Sequence, residues 1–354
     1  MKMPTIKELK DLRDKKILMR VDFNVPVIKG KIEDDFRIKK TLPTIKFLKK
    51  KGAQIILISH LTEGKTKSLR PMANYLKIKF IKDIDLDVIK RKTQEMKDGE
   101  VVLIENIRNF KGEEENDKNF SKKLASLADI YINEAFSVSH RNHASIVGLP
   151  RYLPSYAGFL FEEEIKNLST AFNPKHPFLL ILGGIKFKTK LGVLEKFLKT
   201  ADKIFIGGAL ANNFFKLYGK DIGDSIIDES VDVSKYLDEK KIILPIDVVF
   251  SKNKILDAGL KTMEMLSEII KKSKFILWNG PLGDYENGFK RGTIELARVI
   301  SSSNAISIIG GGDTVAAVKK VGLKNFSFVS TGGGAMLEFL SNGTLPGIEA
   351  LKIK

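Results

Sequence analysis

The sequence predicts an α/β protein of two Rossmann-like domains, each a mostly parallel sheet flanked by helices, joined by a hinge helix. Three observations carry that expectation. Short apolar runs alternate with helix-patterned stretches along both halves of the chain, which is the pattern of βαβ units. One helical stretch near the middle is fenced by Pro150 and Pro154 before it and by Asn173-Pro174-Lys175-His176-Pro177 after it, as an inter-domain connection would be. Most apolar runs of the second half stop on paired or tripled glycines, which mark tight turns at strand ends.

In chain order, residues 17–21 read as a buried strand and 35–50 as a helix stopped at Gly52. A strand over 54–59, a helix over 69–76, a strand over 100–104, a helix over 116–127 and a strand over 130–132 follow. Polar residues gather where these strands end: Asp22, Asn24, His60, Asn106, Arg108 and, a little further on, Arg141. In open α/β sheets that edge receives ligands. Residues 157–171 form the connecting helix. Strands then resume at 178–182, 204–206, 242–244 and 275–278, with Gly183-Gly184, Gly207-Gly208 and Asn279-Gly280-Pro281 after three of them. The expected division is residues 1–154, a connection over 155–177, a second domain over 178–335, and a final segment over 336–354 that returns to the hinge and the first domain.

The last strands repeat one device. Residues 305–309 run into Gly310-Gly311-Gly312-Asp313-Thr314 and a helix over 315–321; residues 326–329 run into Ser330-Thr331-Gly332-Gly333-Gly334 and a helix over 335–340. Glycine lets a backbone approach a ligand closely, and free N–H groups at a helix start favour an anion. One such turn is explained by strand–helix packing; two in succession favour a phosphate site.

Composition narrows the field. The chain has 354 residues, 43% hydrophobic and 29% charged, and no cysteine, so disulfides, thiol nucleophiles and cysteine-held zinc are excluded. Its beginning carries no apolar h-region and no run is long enough to cross a bilayer, so a cytoplasmic protein without a membrane partner is expected. The formal charge of +17 suits anionic partners. Much of it is scattered lysine, and no basic stripe interleaved with aromatics supports nucleic acid. A P-loop and a Gly-x-Gly-x-x-Gly fingerprint are both missing, and the four histidines show no metal spacing. Lys186 and Lys190 stand four apart after Gly183-Gly184. Asp313 suits either an N-cap or a Mg²⁺ contact shared with nucleotide phosphates, and the sequence leaves the two open.

Eight motifs then occur in one order: Arg20-Val21-Asp22-Phe23-Asn24-Val25-Pro26, Glu105-Asn106-Ile107-Arg108, His140-Arg141-Asn142-His143, Gly183-Gly184-Ile185-Lys186, Leu244-Pro245-Ile246-Asp247, Trp278-Asn279-Gly280-Pro281 and the two triple-glycine turns. With them the chain closely resembles the phosphoglycerate kinase family from end to end. The resemblance implies reversible Mg²⁺-dependent phosphoryl transfer between 1,3-bisphosphoglycerate and ADP, giving 3-phosphoglycerate and ATP, in a monomer whose two domains close on their ligands. It implies that Asp22, Phe23, Asn24, Arg37, His60, Arg108 and Arg141 hold the phosphoglycerate. Gly183, Lys190, Gly207, Gly208, Asn279, Pro281, Glu286, Gly311, Gly312, Asp313 and Thr314 are implied for the nucleotide, with Glu286 on the ribose and Asp313 toward the metal. Lys186, Arg37, Gly333 and Gly334 are implied around the transferring phosphoryl group.

Three departures from the family pattern stand out. The arginine of the loop after His60 is replaced by Thr62-Glu63-Gly64-Lys65, so either Lys65 takes over its phosphate contact or Arg37, Arg108 and Arg141 suffice. The aspartate before Lys190 is Thr189. The loops are also trimmed, especially in the first half. Two other readings are a nucleic-acid binder, which no motif supports, and an inactive nucleotide-binding scaffold, which would predict erosion at Lys186, Lys190 or Asp313.

Overall fold

The computed structural model describes residues 3–62 and 67–352. The chain forms two compact units, one of Met1–Ile165 with Thr344–Lys354 and one of Lys166–Gly343.

In the first unit, β1 (Lys16–Arg20) is followed by a small hairpin of β2 (Val27–Ile28) and β3 (Lys31–Ile32), then α1 (Phe36–Lys50) and β4 (Gln54–Ile58). Next come α2 (Arg70–Leu76), β5 (Lys79–Ile81), α3 (Leu86–Thr93), β6 (Val101–Ile104), α4 (Lys118–Ala125), β7 (Ile130–Asn133), β8 (Ser155–Ala157) and α5 (Phe159–Ser169). Six of the strands make one sheet in the order β5-β6-β4-β1-β7-β8, parallel throughout. Every residue of β4 and β6 is buried, which is why these strands read as unbroken apolar runs rather than alternating ones. Helix starts follow local chemistry: Asp85 accepts from the N–H of Asp87 at 2.8 Å, and Asp117 from that of Phe120 at 2.7 Å, satisfying donors the first turn leaves open.

The second unit repeats the plan. It holds α6 (Phe187–Phe197) between β9 (Phe178–Leu182) and β10 (Lys203–Ile206), then α7 (Leu210–Leu217) and β11 (Ile242–Ile243). An antiparallel hairpin of β12 (Val248–Ser251) and β13 (Lys254–Ala258) precedes α8 (Leu260–Lys272), β14 (Phe275–Asn279), α9 (Arg291–Ser301), β15 (Ile306–Gly310), α10 (Gly312–Lys320), β16 (Phe328–Val329) and α11 (Gly334–Asn342). The parallel sheet runs β11-β10-β9-β14-β15-β16. Its strand order reverses between β9 and β14, and the crevice at that point is where such sheets bind ligands. A last helix, α12 (Pro346–Leu351), belongs to the first unit, where the N–H of Gly347 donates to the Ser139 carbonyl at 2.8 Å.

Two parallel six-stranded sheets flanked by helices are the α/β architecture the sequence predicts. The expected elements are present with ends shifted by up to about three residues. The segment holding β5 and α3, the strand β8, the two hairpins, and the positions of α6–α9 and α12 stand outside that expectation.

Candidate functional site

In the first unit the carboxyl ends of β1, β4 and β6 bring together Asp22, His60 and a set of arginines. Asp22 is buried. Arg37, from the first turn of α1, places Nη1 3.1 Å from its Oδ2, the Ser137 hydroxyl donates to the same oxygen, and the N–H of Asn24 donates to Oδ1 at 2.9 Å. Burial alone would raise its pKa; Arg37, His60 and the two donors outweigh it and hold the carboxyl at about 2. His60 is pushed down to about 3 by burial, with Arg20, Arg108 and Arg37 adding to the shift and Asp22 opposing it. At neutral pH the patch therefore contains an ionised Asp22, a neutral His60 and unneutralised guanidinium charge.

Arg37 also donates to the Asn24 carbonyl at 2.9 Å, and Arg108 pairs with Glu114 at 3.2 Å. Arg141 is exposed. It lies close enough to join Arg108 and Arg20 in lowering the pKa of His143, whose largest cause is burial. Phe23 is different in kind. Its ring is fully buried in the core and its N–H donates to Ser59 Oγ at 2.8 Å, so its side chain positions its neighbours.

Lys65 lies outside the described residues, but the chain on either side of it is anchored. The Asn106 amide donates to the carbonyls of Leu61 and Lys67, both at 2.8 Å. Glu105 accepts from Ser68 Oγ at 2.8 Å and from the N–H of Leu69 at 2.9 Å. Asn24 takes the N–H of Thr62 at 2.8 Å.

In the second unit a cavity of about 460 Å³ opens at the carboxyl edge of the sheet. Gly208, Pro281, Glu286 and Asp313, all expected from the sequence, line it, with Gly184 in place of the expected Gly183. The turns that frame it interlock through backbone. A Cβ on Gly280, whose φ is +98°, would stand 2.2 Å from the Gly183 carbonyl oxygen, and the N–H of Gly184 donates to the Pro281 carbonyl at 2.7 Å. Close packing alone thus accounts for these glycines. Gly312 is the opposite case: a Cβ there would meet nothing within 4 Å, so the opening turn of α10 is clear for a ligand. Gly311, Asn279 and Thr314 meet beside it. The Gly311 Cβ position is 3.4 Å from the Asn279 amide, and the Thr314 hydroxyl accepts the N–H of Gly280 at 3.0 Å. Gly207 and Gly208 follow β10, the first buried and the second half-buried. Gly333 and Gly334 open α11 at the end of β16.

The two lysines differ. Lys186 is exposed immediately before α6, whereas Lys190 is buried within it, its Nζ 3.3 Å from the Gly184 Cβ position. Burial first and Lys186 second lower the Lys190 pKa to about 8, with Asp313 partly opposing them. Asp313 therefore lies near Lys190 in the first turn of α10, next to the cavity. Among the described residues no three acidic or histidine side chains gather to hold a metal. A cation here would depend on Asp313 and on oxygens brought by a ligand, which is how Mg²⁺ accompanies nucleotide phosphates.

Asn212, Lys254, Asp257 and Tyr285 also line the cavity without having been expected. Asp257 accepts from the N–H groups of Ala258 and Gly292 at 2.9 and 3.0 Å, and burial raises its pKa. It secures the start of α9 against the cavity wall. No motif in the sequence marks it, since it falls in an unremarkable strand.

A doubly wound unit bearing a guanidinium-rich anion patch, and another bearing a glycine-framed cavity with two lysines, are the equipment of a phosphotransferase. Comparison with known proteins makes the class specific. The family model described as phosphoglycerate kinase matches residues 6–343, and the chain belongs to that family. It is 43% identical to the phosphoglycerate kinase of Borrelia garinii subsp. bavariensis over 392 aligned positions, covering 99% of this chain and 100% of the relative. It is 44% identical to that of Finegoldia magna, covering 98% of each. Among solved structures, phosphoglycerate kinase from Pyrococcus horikoshii superposes with a TM-score of 0.89 at 31% identity, over 99% of this chain and 98% of that one. The enzyme from Coxiella burnetii gives 0.83 at 34% identity, over 99% of each.

Proposed function

We propose that this chain catalyses reversible transfer of the γ-phosphoryl group of MgATP to the carboxylate of 3-phosphoglycerate, giving 1,3-bisphosphoglycerate and ADP. Family membership gives the reaction; the residue roles are our reading. The observation that carries it is the pairing of Lys186 and Lys190 beside a ligand-sized cavity with the open first turn of α10.

Asp22, Asn24, His60, Arg37, Arg108 and Arg141 hold the phosphoglycerate, with Arg37 fixed by the ionised Asp22. A guanidinium offers paired donors to phosphate and carboxylate oxygens. Lys190, Asn279, Pro281 and the Gly311–Thr314 turn hold the nucleotide, with Glu286 at the ribose and Gly207-Gly208 toward the base. In the transfer step a carboxylate oxygen attacks the γ-phosphorus and the bond to the β-phosphate oxygen breaks. The attacking group is already an anion, so no general base is required. Rate comes from alignment and from cations around the equatorial oxygens, supplied by Lys186, Arg37 and the N–H groups at Gly333 and Gly334. Asp313, together with the nucleotide phosphates, would hold Mg²⁺, which would supply further charge neutralisation. Closure of the domains on their ligands would exclude the water that hydrolyses an acyl phosphate. The proposal extends to a monomer working in the cytoplasm on these metabolites, with no nucleic acid partner.

Lys186→Ala tests the assignment. It should lower kcat about 10²–10³-fold, as for loss of one preorganised charge-stabilising group, and leave the MgATP Kd nearly unchanged. A kcat within about threefold of the parent, measured where chemistry limits turnover, would remove Lys186 from the transfer step.

A further inference from the structure

We propose that Arg20 is a positioning residue that fixes His60 as the neutral imidazole protonated at Nε2, making His60 a hydrogen-bond donor to bound phosphoglycerate. The inference rests on the function proposed above and assigns a role to a residue outside the substrate contacts.

The geometry carries it. Arg20 Nη2 lies 3.2 Å from His60 Nδ1. A guanidinium has donors only and no lone pair to offer, so Nδ1 must be the unprotonated acceptor and the proton must sit on Nε2. Asp22 Oδ1, at 3.9 Å from Nδ1, is too far to compete by hydrogen bonding. Arg20 is itself held on two sides. Its Nε donates to Ser145 Oγ at 2.9 Å, and its Nη1 to the Val21 carbonyl. Ser145 in turn donates from Oγ to Glu113 Oε1 at 2.6 Å and from its N–H to Oε2 at 2.9 Å. Glu113, Ser145 and Arg20 are all buried, so the relay from Glu113 to His60 is rigid and shielded from water. A ligating histidine oriented through its other nitrogen follows the same logic as in metal and catalytic sites.

The charged groups acting on His60 come from several elements. Arg20 and Asp22 flank the end of β1, Arg37 lies on α1 and Arg108 follows β6. Burial, helped by the three cations and opposed by Asp22, disfavours a second proton on the ring, so His60 stays a single-proton donor across the physiological range.

The experiment is a ¹⁵N spectrum of the ligand-free full chain with labelled histidine, recorded from pH 5 to 8, with the His60 signals assigned by their loss in His60→Gln. The expected result is an unprotonated Nδ1 and a protonated Nε2 that do not titrate in this range. In Arg20→Met, which keeps side-chain length but removes the donor, the His60 signals should move toward mixed tautomers. KM for 3-phosphoglycerate should rise about tenfold, the worth of one charge-assisted hydrogen bond, with KM for MgATP unchanged. A protonated Nδ1 in the parent, or a spectrum unaltered by Arg20→Met, overturns the proposal. If Arg20→Met does not fold, the parent spectrum decides alone. A protein with the expected spectrum but no turnover would contradict the proposed reaction and leave this assignment standing.

Discussion

Lys190 makes a sharp prediction because burial and a neighbouring lysine both act on it. With its pKa near 8, it is charged at neutral pH and loses its proton as pH rises through that value. In the free enzyme kcat/KM for MgATP should therefore fall above about pH 8. Lys186→Ala removes the repulsion, so the alkaline limb should move to higher pH even as overall activity drops. A limb that stays put or moves lower would show that the two ammonium groups do not interact. Lys186, Lys190 and Asp313 were readable in sequence because they adjoin glycine turns. Asp257 and Arg20 were not assigned roles, because a buried charge inside a strand looks like any strand end until its partners are seen.

Among the elements, α5 is anchored by a buried carboxyl. Glu134, at the end of β7, accepts the N–H of Leu160 at 3.1 Å and the Thr44 hydroxyl at 2.5 Å. A Cβ on Gly158 would come within 1.8 Å of its other oxygen. Burial raises the Glu134 pKa to about 8 from an ordinary 4.5. Between those values the folded state keeps a proton that the unfolded chain has lost, so stability falls as pH rises from about 4.5 and levels off above about 8. Glu134→Gln should flatten that fall, by at most about 1.4 kcal/mol per pH unit, in urea titrations from pH 5 to 8. Parallel stability curves for parent and variant would mean that Glu134 is ionised in the fold. Gly158→Ala should destabilise by about 1–3 kcal/mol through overpacking, read as a lowered urea midpoint.

Strands buried on both faces were legible, as were the helices that start at Asp35 and Asp117, whereas α3, also started by an aspartate, Asp85, was not. Nor was the β12–β13 hairpin. Its turn is Lys252-Asn253, with φ of +50° and +57°, a two-residue left-handed turn without the glycine that usually signals one. Strand β5 has only three residues, of which one is buried, too short for a periodicity to register.

At the level of the whole molecule, the +17 charge supplies a long-range field that draws in anionic substrates, an effect that salt screens beyond about 10 Å at 0.1 M. KM for 3-phosphoglycerate should accordingly rise as ionic strength goes from about 0.01 to 0.3 M. A salt-independent KM would confine the electrostatics to the contacting arginines. The proposed closure predicts a smaller radius of gyration with both ligands bound than with either alone, and an unchanged radius would oppose it. The reaction itself is tested most directly by trapping its product. With MgATP, 3-phosphoglycerate and hydroxylamine present, the protein should form acyl hydroxamate and ADP in equal amounts, and neither should form when either substrate is left out. ADP released without hydroxamate, or at the same rate without 3-phosphoglycerate, would contradict phosphoryl transfer to the carboxylate.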